Sequence, residues 1–149
     1  NMGLVLSKQG KTSEAVENYN IALKLKPDLA MAHENMGYLL SGQGRYAEAV
    51  THLQAAMMSN PFNVASLNNL GLALAKLERF PEAITCYNTA LALNPSYPEI
   101  HANLAVALIS SGKPAEGIEQ CRKALELKPN WPEVINLINE AKKKISRQN

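Results

Sequence analysis

The tripeptide Asn69-Leu70-Gly71 recurs along this chain at a spacing of 34 residues. Its counterparts are Asn1-Met2-Gly3, Asn35-Met36-Gly37 and Asn103-Leu104-Ala105. A proline keeps the same spacing, at Pro27, Pro61, Pro95 and Pro129. Periods of about 20–50 residues are typical of solenoids, in which each unit buries its apolar face against its neighbours. The sequence therefore predicts a stack of similar units along its whole length.

Each unit has the apolar spacing of two helices. In the unit around Gly71 the predicted helices cover 64–77 and 80–93, and Ala83, Tyr87 and Ala90 recur at helical spacing in the second. The other predicted helices cover 1–8, a stretch from Thr12 or Ser13 to just before Pro27, 30–41, 46–58, 98–110, 114–127 and 132–146. No segment alternates with the period of a strand, so the chain is predicted to be all-α.

These residues resemble the tetratricopeptide repeat (TPR) family. Its pattern places a small residue in the first helix (A), then an alanine, an aromatic and a second alanine in the second helix (B), and then a proline. The unit around Gly71 supplies Gly71, Ala83, Tyr87, Ala90 and Pro95. The resemblance implies a TPR solenoid, a right-handed superhelix of antiparallel helix pairs. It divides one domain into a truncated repeat (1–29), three repeats (30–63, 64–97 and 98–131) and a capping helix (132–149).

Two positions depart from the repeat. Glu78 stands where the other units have Gly10, Gly44 and Gly112, so its turn should be either strained or differently shaped. Gly117 replaces the B-helix alanine, which should loosen the fourth repeat by about 1 kcal/mol.

Charge and composition disfavour several kinds of partner. The 149 residues include 15 basic and 13 acidic side chains, a net charge of +2. This balance predicts neither nucleic acid nor an anionic membrane as a bulk partner. No apolar run approaches the roughly 18 residues of a membrane span, so no membrane insertion is expected. The compartment is left open, with the cytoplasm favoured.

No enzyme, metal site or cofactor is expected from the sequence. His33 and His101 are two repeats apart, and His52 has no partner at ligand spacing. Cys86 and Cys121 are interpreted as two separate thiols, buried or half-buried. The recurring acidic residues fall in the first turns of B helices, where a carboxylate stabilises the helix dipole. These residues are Glu14, Glu48, Glu82 and Glu116.

The asparagine at the start of each tripeptide is the strongest functional candidate. Asparagine is a mediocre helix former, yet it recurs in every A helix. By the TPR resemblance, this face of the A helices lines a concave groove. An amide offers both donors and acceptors, the complement of an extended peptide backbone. The candidate groove residues are Asn1, Asn35, Asn69, Asn103, Met31, Glu34, Tyr38, Asn68, Leu72, Lys76, Glu99 and Val106.

The asparagine series is similar to that in the TPR region of O-linked N-acetylglucosamine transferases, although family ancestry alone would also explain it. The leading interpretation is an interaction scaffold that binds an extended segment of a protein of unknown identity. One alternative is a substrate-docking fragment of a larger enzyme such as an O-linked glycosyltransferase. Another is a self-assembly module that associates through the truncated N-terminal repeat. TPR domains that clamp a terminal carboxylate need basic groove residues, whereas this chain has Met31, Glu34, Asn68 and Glu99.

Overall fold

The computed structural model describes residues 12–147, which form eight helices and no strand. The helices are α1 (Thr12–Leu25), α2 (Ala30–Gly42), α3 (Tyr46–Ser59), α4 (Val64–Lys76), α5 (Phe80–Leu93), α6 (Pro98–Ser110), α7 (Pro114–Leu127) and α8 (Pro132–Ser146). From α2 onward the predicted bounds agree with these within one residue, and the all-α prediction is confirmed. The predicted helix 1–8, Gly3, the turn at Gly10 and groove residue Asn1 lie outside the described residues.

The helices pack as successive pairs. Helix α2 packs on α3, α4 on α5 and α6 on α7, and each B helix also packs on the next A helix. Neighbouring A helices touch as well, α2 with α4 and α4 with α6, and α8 contacts both α6 and α7. The A helices therefore form one continuous layer, and the face of that layer turned away from the B helices is a shared surface.

Close contacts between A and B helices explain the small residue of each tripeptide. A Cβ on Gly37 would lie 2.5 Å from Leu53 Cγ, and a Cβ on Gly71 would lie 2.7 Å from Tyr87 Cε1. In the next repeat the A helix carries an alanine, and the partner there is a cysteine in the same apolar cluster. The three pairs are Gly37 with Leu53, Gly71 with Tyr87, and Ala105 with Cys121. The B-helix partner is smaller where the A-helix residue is larger.

The turn at Glu78 has the same shape as the glycine turns. Glu78 has a φ of 59°, close to 76° at Gly44 and 85° at Gly112. Its turn is closed by Arg79 N donating to Leu74 O over 3.0 Å, the bond that also closes the two glycine turns. Because a left-handed conformation costs an L-residue about 1–2 kcal/mol, Glu78 is strained. The alternative prediction, a differently shaped turn, was wrong.

The expected looseness at Gly117 is not matched by a gap. A Cβ there would lie 2.5 Å from Ile109 Cγ1 and 3.0 Å from Ala105 O. The side chain of Ile109 thus fills the space that the usual alanine would take. Gly117 therefore permits a close approach of α6 and α7.

Both cysteines are buried and free, as the sequence analysis expected. Burial raises the pKa of the Cys86 thiol, and it raises the pKa of Cys121 to about 11. Both thiols are therefore protonated at neutral pH and are weak nucleophiles.

Among the described helices none has the length and apolar character needed to cross a membrane.

Candidate functional site

The shared A-helix surface exposes apolar side chains that a core would normally bury. Met31 and Tyr38 on α2 are 59% and 62% exposed, and Val106 on α6 is 46% exposed. Between them the asparagines at 35, 69 and 103 are half-buried. Exposed apolar groups set among polar ones are typical of an interaction surface.

Three predicted residues converge on one pocket of about 530 Å³, here called the Tyr38 pocket. They are Tyr38 on α2 and Asn69 and Leu72 on α4. The pocket is completed by Leu39, Ser41, Gly42, Gln43 and Tyr46. None of its lining residues is charged, so it suits a neutral side chain. Tyr46 was not among the predicted residues, although the corresponding position of the next repeat is also aromatic, Phe80.

Two further predicted residues, Met31 and Glu34, line a smaller pocket of about 260 Å³, here called the Met31 pocket. Its other lining residues are Ala30, Ala56, Asn60, Asn63 and Ser66. Asn63 Nδ2 donates to both carboxylate oxygens of Glu34, over 3.3 and 3.2 Å. Asn63 Oδ1 also accepts from Ser66 N and caps α4. Glu34 is thereby held in place by the residue that caps α4.

The asparagine series is not uniform. Asn103 Nδ2 donates to Asn68 Oδ1 over 3.1 Å, so two predicted groove residues of adjacent repeats bind each other. One repeat earlier, Glu34 occupies the position of Asn68 and binds Asn63 instead. Within residues 12–147 the side chains of Asn35 and Asn69 make no hydrogen bond. Their amides remain available to a ligand, whereas the amide of Asn103 is partly used.

The remaining predicted residues lie on the A helices outside both pockets. Lys76 is exposed at the last residue of α4, Glu99 is exposed in the first turn of α6, and Val106 is further along α6. The structure therefore concentrates the candidate surface on α2 and α4. The first of the series, Asn1, is not among the described residues.

The histidines differ from expectation. His33 Nδ1 and His52 Nδ1 are 2.9 Å apart, and His33 Nε2 lies 2.9 Å from Pro27 O. The sequence indicated no partner for His52 at metal-ligand spacing; its partner in the structure is His33, 19 positions earlier on the facing helix. Desolvation, and then the proximity of His33, lowers the pKa of His52. Across the described residues no three potential ligands come together as a metal site.

The periodic glutamates are parts of ion pairs as well as helix starts. Each of three lies beside a basic residue that precedes its B helix. The contacts are Arg45 with Glu48 at 2.6 Å, Arg79 with Glu82 at 2.7 Å and Lys113 with Glu116 at 3.6 Å. Hydrogen bonds from the arginines lower the pKa of Glu48 and Glu82. These carboxylates are therefore neutralised locally and do not form an open acidic surface.

Family comparisons agree with the repeat pattern. A model described as TPR repeat matches residues 3–44 and 74–112. Two models described as tetratricopeptide repeat match residues 34–85 and 98–131. No curated protein matches the sequence.

Solved structures share the fold. A crystal structure of MamA has a TM-score of 0.93 at 21% identity and covers 98% of this chain and 85% of that one. A fragment of MamA from Desulfovibrio magneticus RS-1 has a TM-score of 0.82 at 26% identity and covers 86% and 72%. YrrB, described as a TPR protein with an unusual peptide-binding site, has a TM-score of 0.89 at 23% identity and covers 98% and 75%. The predicted TPR solenoid is confirmed.

Proposed function

This chain belongs to the tetratricopeptide repeat family, and we propose that it is a protein-interaction scaffold that binds an extended peptide segment along its A helices. The observation that carries the proposal is the Tyr38 pocket, where an exposed aromatic, an apolar wall and an unused amide meet. The peptide-binding site described for YrrB, which shares this fold, supports the same use of the scaffold.

The amides and the pocket have different parts in this binding. Each hydrogen bond from Asn35 or Asn69 to a peptide bond contributes a net of about 0.5–1.5 kcal/mol. Association and ordering of a flexible peptide cost about 4–15 kcal/mol, so two or three such bonds cannot sustain binding. The affinity must come from side chains that enter the Tyr38 pocket. We therefore expect modest affinity and a ligand with spaced apolar anchors.

The two pockets differ in the side chains they favour. The Tyr38 pocket is uncharged and suits an apolar or aromatic residue. A residue that reaches the Met31 pocket meets the Glu34 carboxylate, which favours a hydrogen-bond donor or a basic group. The selected peptide should carry these two features in sequence along one extended strand.

The finer alternatives concern what the bound segment belongs to. If the chain is part of a larger enzyme such as an O-linked glycosyltransferase, the same surface would hold the substrate's peptide and this part would perform no chemistry. The likeness of its asparagines to those of O-linked N-acetylglucosamine transferases would then rest chiefly on Asn35 and Asn69. Self-association through the first repeat would need residues that the structure does not describe.

A library of random peptides tests the proposal. Peptides selected on the wild-type protein are measured by fluorescence anisotropy against Tyr38→Ala and the double variant Asn35→Ala with Asn69→Ala. We expect the double variant to weaken binding about tenfold or more, with a melting temperature close to wild type. Tyr38→Ala should weaken binding and change the preferred sequences.

A matched control replaces two exposed asparagines on B helices, Asn20→Ala with Asn88→Ala. This control should bind with wild-type affinity. Two results would contradict a peptide-binding groove: selection of no peptide at all, or equal affinity in the control and in the double variant at Asn35 and Asn69 (the groove variant). Unfolding of the groove variant would show that its asparagines are structural.

A further inference from the structure

The histidine pair joins α2 to α3 through a bond that has room for only one proton. The two Nδ1 atoms are 2.9 Å apart, and the ring centroids are 5.1 Å apart with the planes tilted by 39°. The centroid separation is roughly the nitrogen–nitrogen distance extended by both ring radii. The two nitrogens therefore face each other almost directly, as in an N–H···N hydrogen bond.

The carbonyl of Pro27 fixes which proton is shared. A carbonyl oxygen only accepts, so His33 Nε2, at 2.9 Å from it, carries a hydrogen and donates. In the neutral pair His33 Nδ1 is then unprotonated and accepts from Nδ1–H of His52. One added proton is tolerated, because His33 can donate from both nitrogens while His52 changes tautomer and accepts.

A second added proton cannot be held in this arrangement. With both rings charged, each Nδ1 carries a hydrogen, and two N–H groups point at each other over a distance that suits one hydrogen. We propose that the helix pair α2–α3 is an acid-sensitive unit, in which full protonation of His33 and His52 breaks their contact and separates the helices there. This inference does not depend on what the A-helix surface binds.

The surrounding charges do not remove this restriction. The charged and titratable groups that act on His52 are His33 on the facing helix and Glu48 and Arg45 at the start of α3. Glu48 is bound to Arg45 through both oxygens, which keeps it ionised as the pH falls. Its attraction for a charged His52 is offset by the repulsion from Arg45 and His33.

The direction of the pH effect follows from the lowered pKa of His52. A histidine in the unfolded chain titrates near a pKa of about 6.5. Below that pH position 52 is protonated in the unfolded chain, whereas in the folded chain His52 stays neutral until the pH reaches its lower folded pKa. Stability is therefore complete above the unfolded pKa and falls as the pH drops below it, by up to about tenfold in the folding equilibrium constant per pH unit.

The chain contains its own control two repeats further on. His101 contacts Pro95 O at 3.1 Å and Gln120 Oε1 at 2.8 Å, the same arrangement with an amide in place of the second imidazole. An amide supplies an acceptor to a charged imidazole and a donor to a neutral one. That repeat therefore accommodates protonation that the α2–α3 pair does not.

Two reciprocal substitutions test the proposal in the intact protein. His52→Gln gives the α2–α3 pair the arrangement of α6–α7, and Gln120→His gives α6–α7 a second imidazole. Urea unfolding is measured between pH 7.5 and 5 in the presence of EDTA. From pH 6.5 to 5.5 the folding equilibrium constant of the wild type should fall up to about tenfold more than that of His52→Gln. The folding equilibrium constant of Gln120→His should fall more steeply over this pH range than that of the wild type, by a similar factor.

Amide hydrogen exchange locates the effect. On acidification, after correction for intrinsic rates, α2 and α3 should lose protection in the wild type and keep it in His52→Gln. In Gln120→His the loss should extend to α6 and α7. Equal pH slopes for the wild type and His52→Gln, with no new slope in Gln120→His, would overturn the proposal. If His52→Gln does not fold, Gln120→His decides the question alone.

Discussion

Replacing Gly37 by alanine should destabilise the protein even though alanine is the better helix former. The added Cβ would lie 2.5 Å from Leu53 Cγ, 2.9 Å from Leu53 Cδ2 and 3.2 Å from Ala49 O. Unstrained carbon contacts are about 3.5–4.0 Å, so the methyl group enters the volume of Leu53 by roughly 1 Å. Leu53 is 0% exposed and cannot swing into solvent.

The net effect can be worked out from two opposing quantities. Overpacking costs about 1–3 kcal/mol, and the upper half of that range applies because Leu53 is fully buried and Ala49 O belongs to the backbone. Alanine in place of glycine within a helix returns about 1 kcal/mol. Gly37→Ala should therefore lower the free energy of unfolding by about 1–2 kcal/mol.

Gly42 provides the matched control in the same helix, since a Cβ there would meet nothing within 4 Å. Gly42→Ala should be neutral or stabilise by up to about 1 kcal/mol. Urea unfolding followed by circular dichroism measures both variants. Equal effects of the two substitutions would refute the close-packing argument.

A double-mutant cycle with Leu53→Cys isolates the contact. That background reproduces the alanine–cysteine combination seen at Ala105 and Cys121, so Gly37→Ala should become neutral or stabilising in it. The expected coupling between positions 37 and 53 is about 2 kcal/mol. Additive effects would show that the complementary sizes of the three pairs have no energetic basis.

Three other substitutions test the packing and the turns. Ala90 is 0% exposed within the main apolar cluster, so Ala90→Leu should destabilise by about 1–3 kcal/mol through overpacking; a change within error in urea unfolding would contradict this. Glu78→Gly should raise the free energy of unfolding by about 1 kcal/mol, because glycine adopts a φ of 59° without strain. In contrast, Gly112→Ala should lower the free energy of unfolding, because Gly112 has a φ of 85°. A loss of stability in Glu78→Gly would show that the Glu78 side chain has a role of its own.

The location of the candidate surface was only partly predictable. The repeat phase placed Tyr38, Asn69 and Leu72 on one face, because residues three, four and seven apart share a side of a helix. That α2 and α4 bring them into one pocket, with Tyr46 from α3, depends on how the helices cross. The sequence likewise gave no indication of the bond from Asn63 to Glu34, 29 residues earlier.

What the sequence determined by itself is the order, length and pairing of the helices. Helix bounds follow from turn residues and apolar spacing, which act over a few residues, and a 34-residue period repeats the same local choices. Tertiary structure alone decided the bond between Asn68 and Asn103 and the pairing of His33 with His52. Those contacts join side chains on different helices, 35 and 19 residues apart, so they depend on crossing geometry and rotamers that local pattern does not encode. The same geometry leaves the amides of Asn35 and Asn69 unbonded within residues 12–147, although all members of the series occupy one position in the repeat.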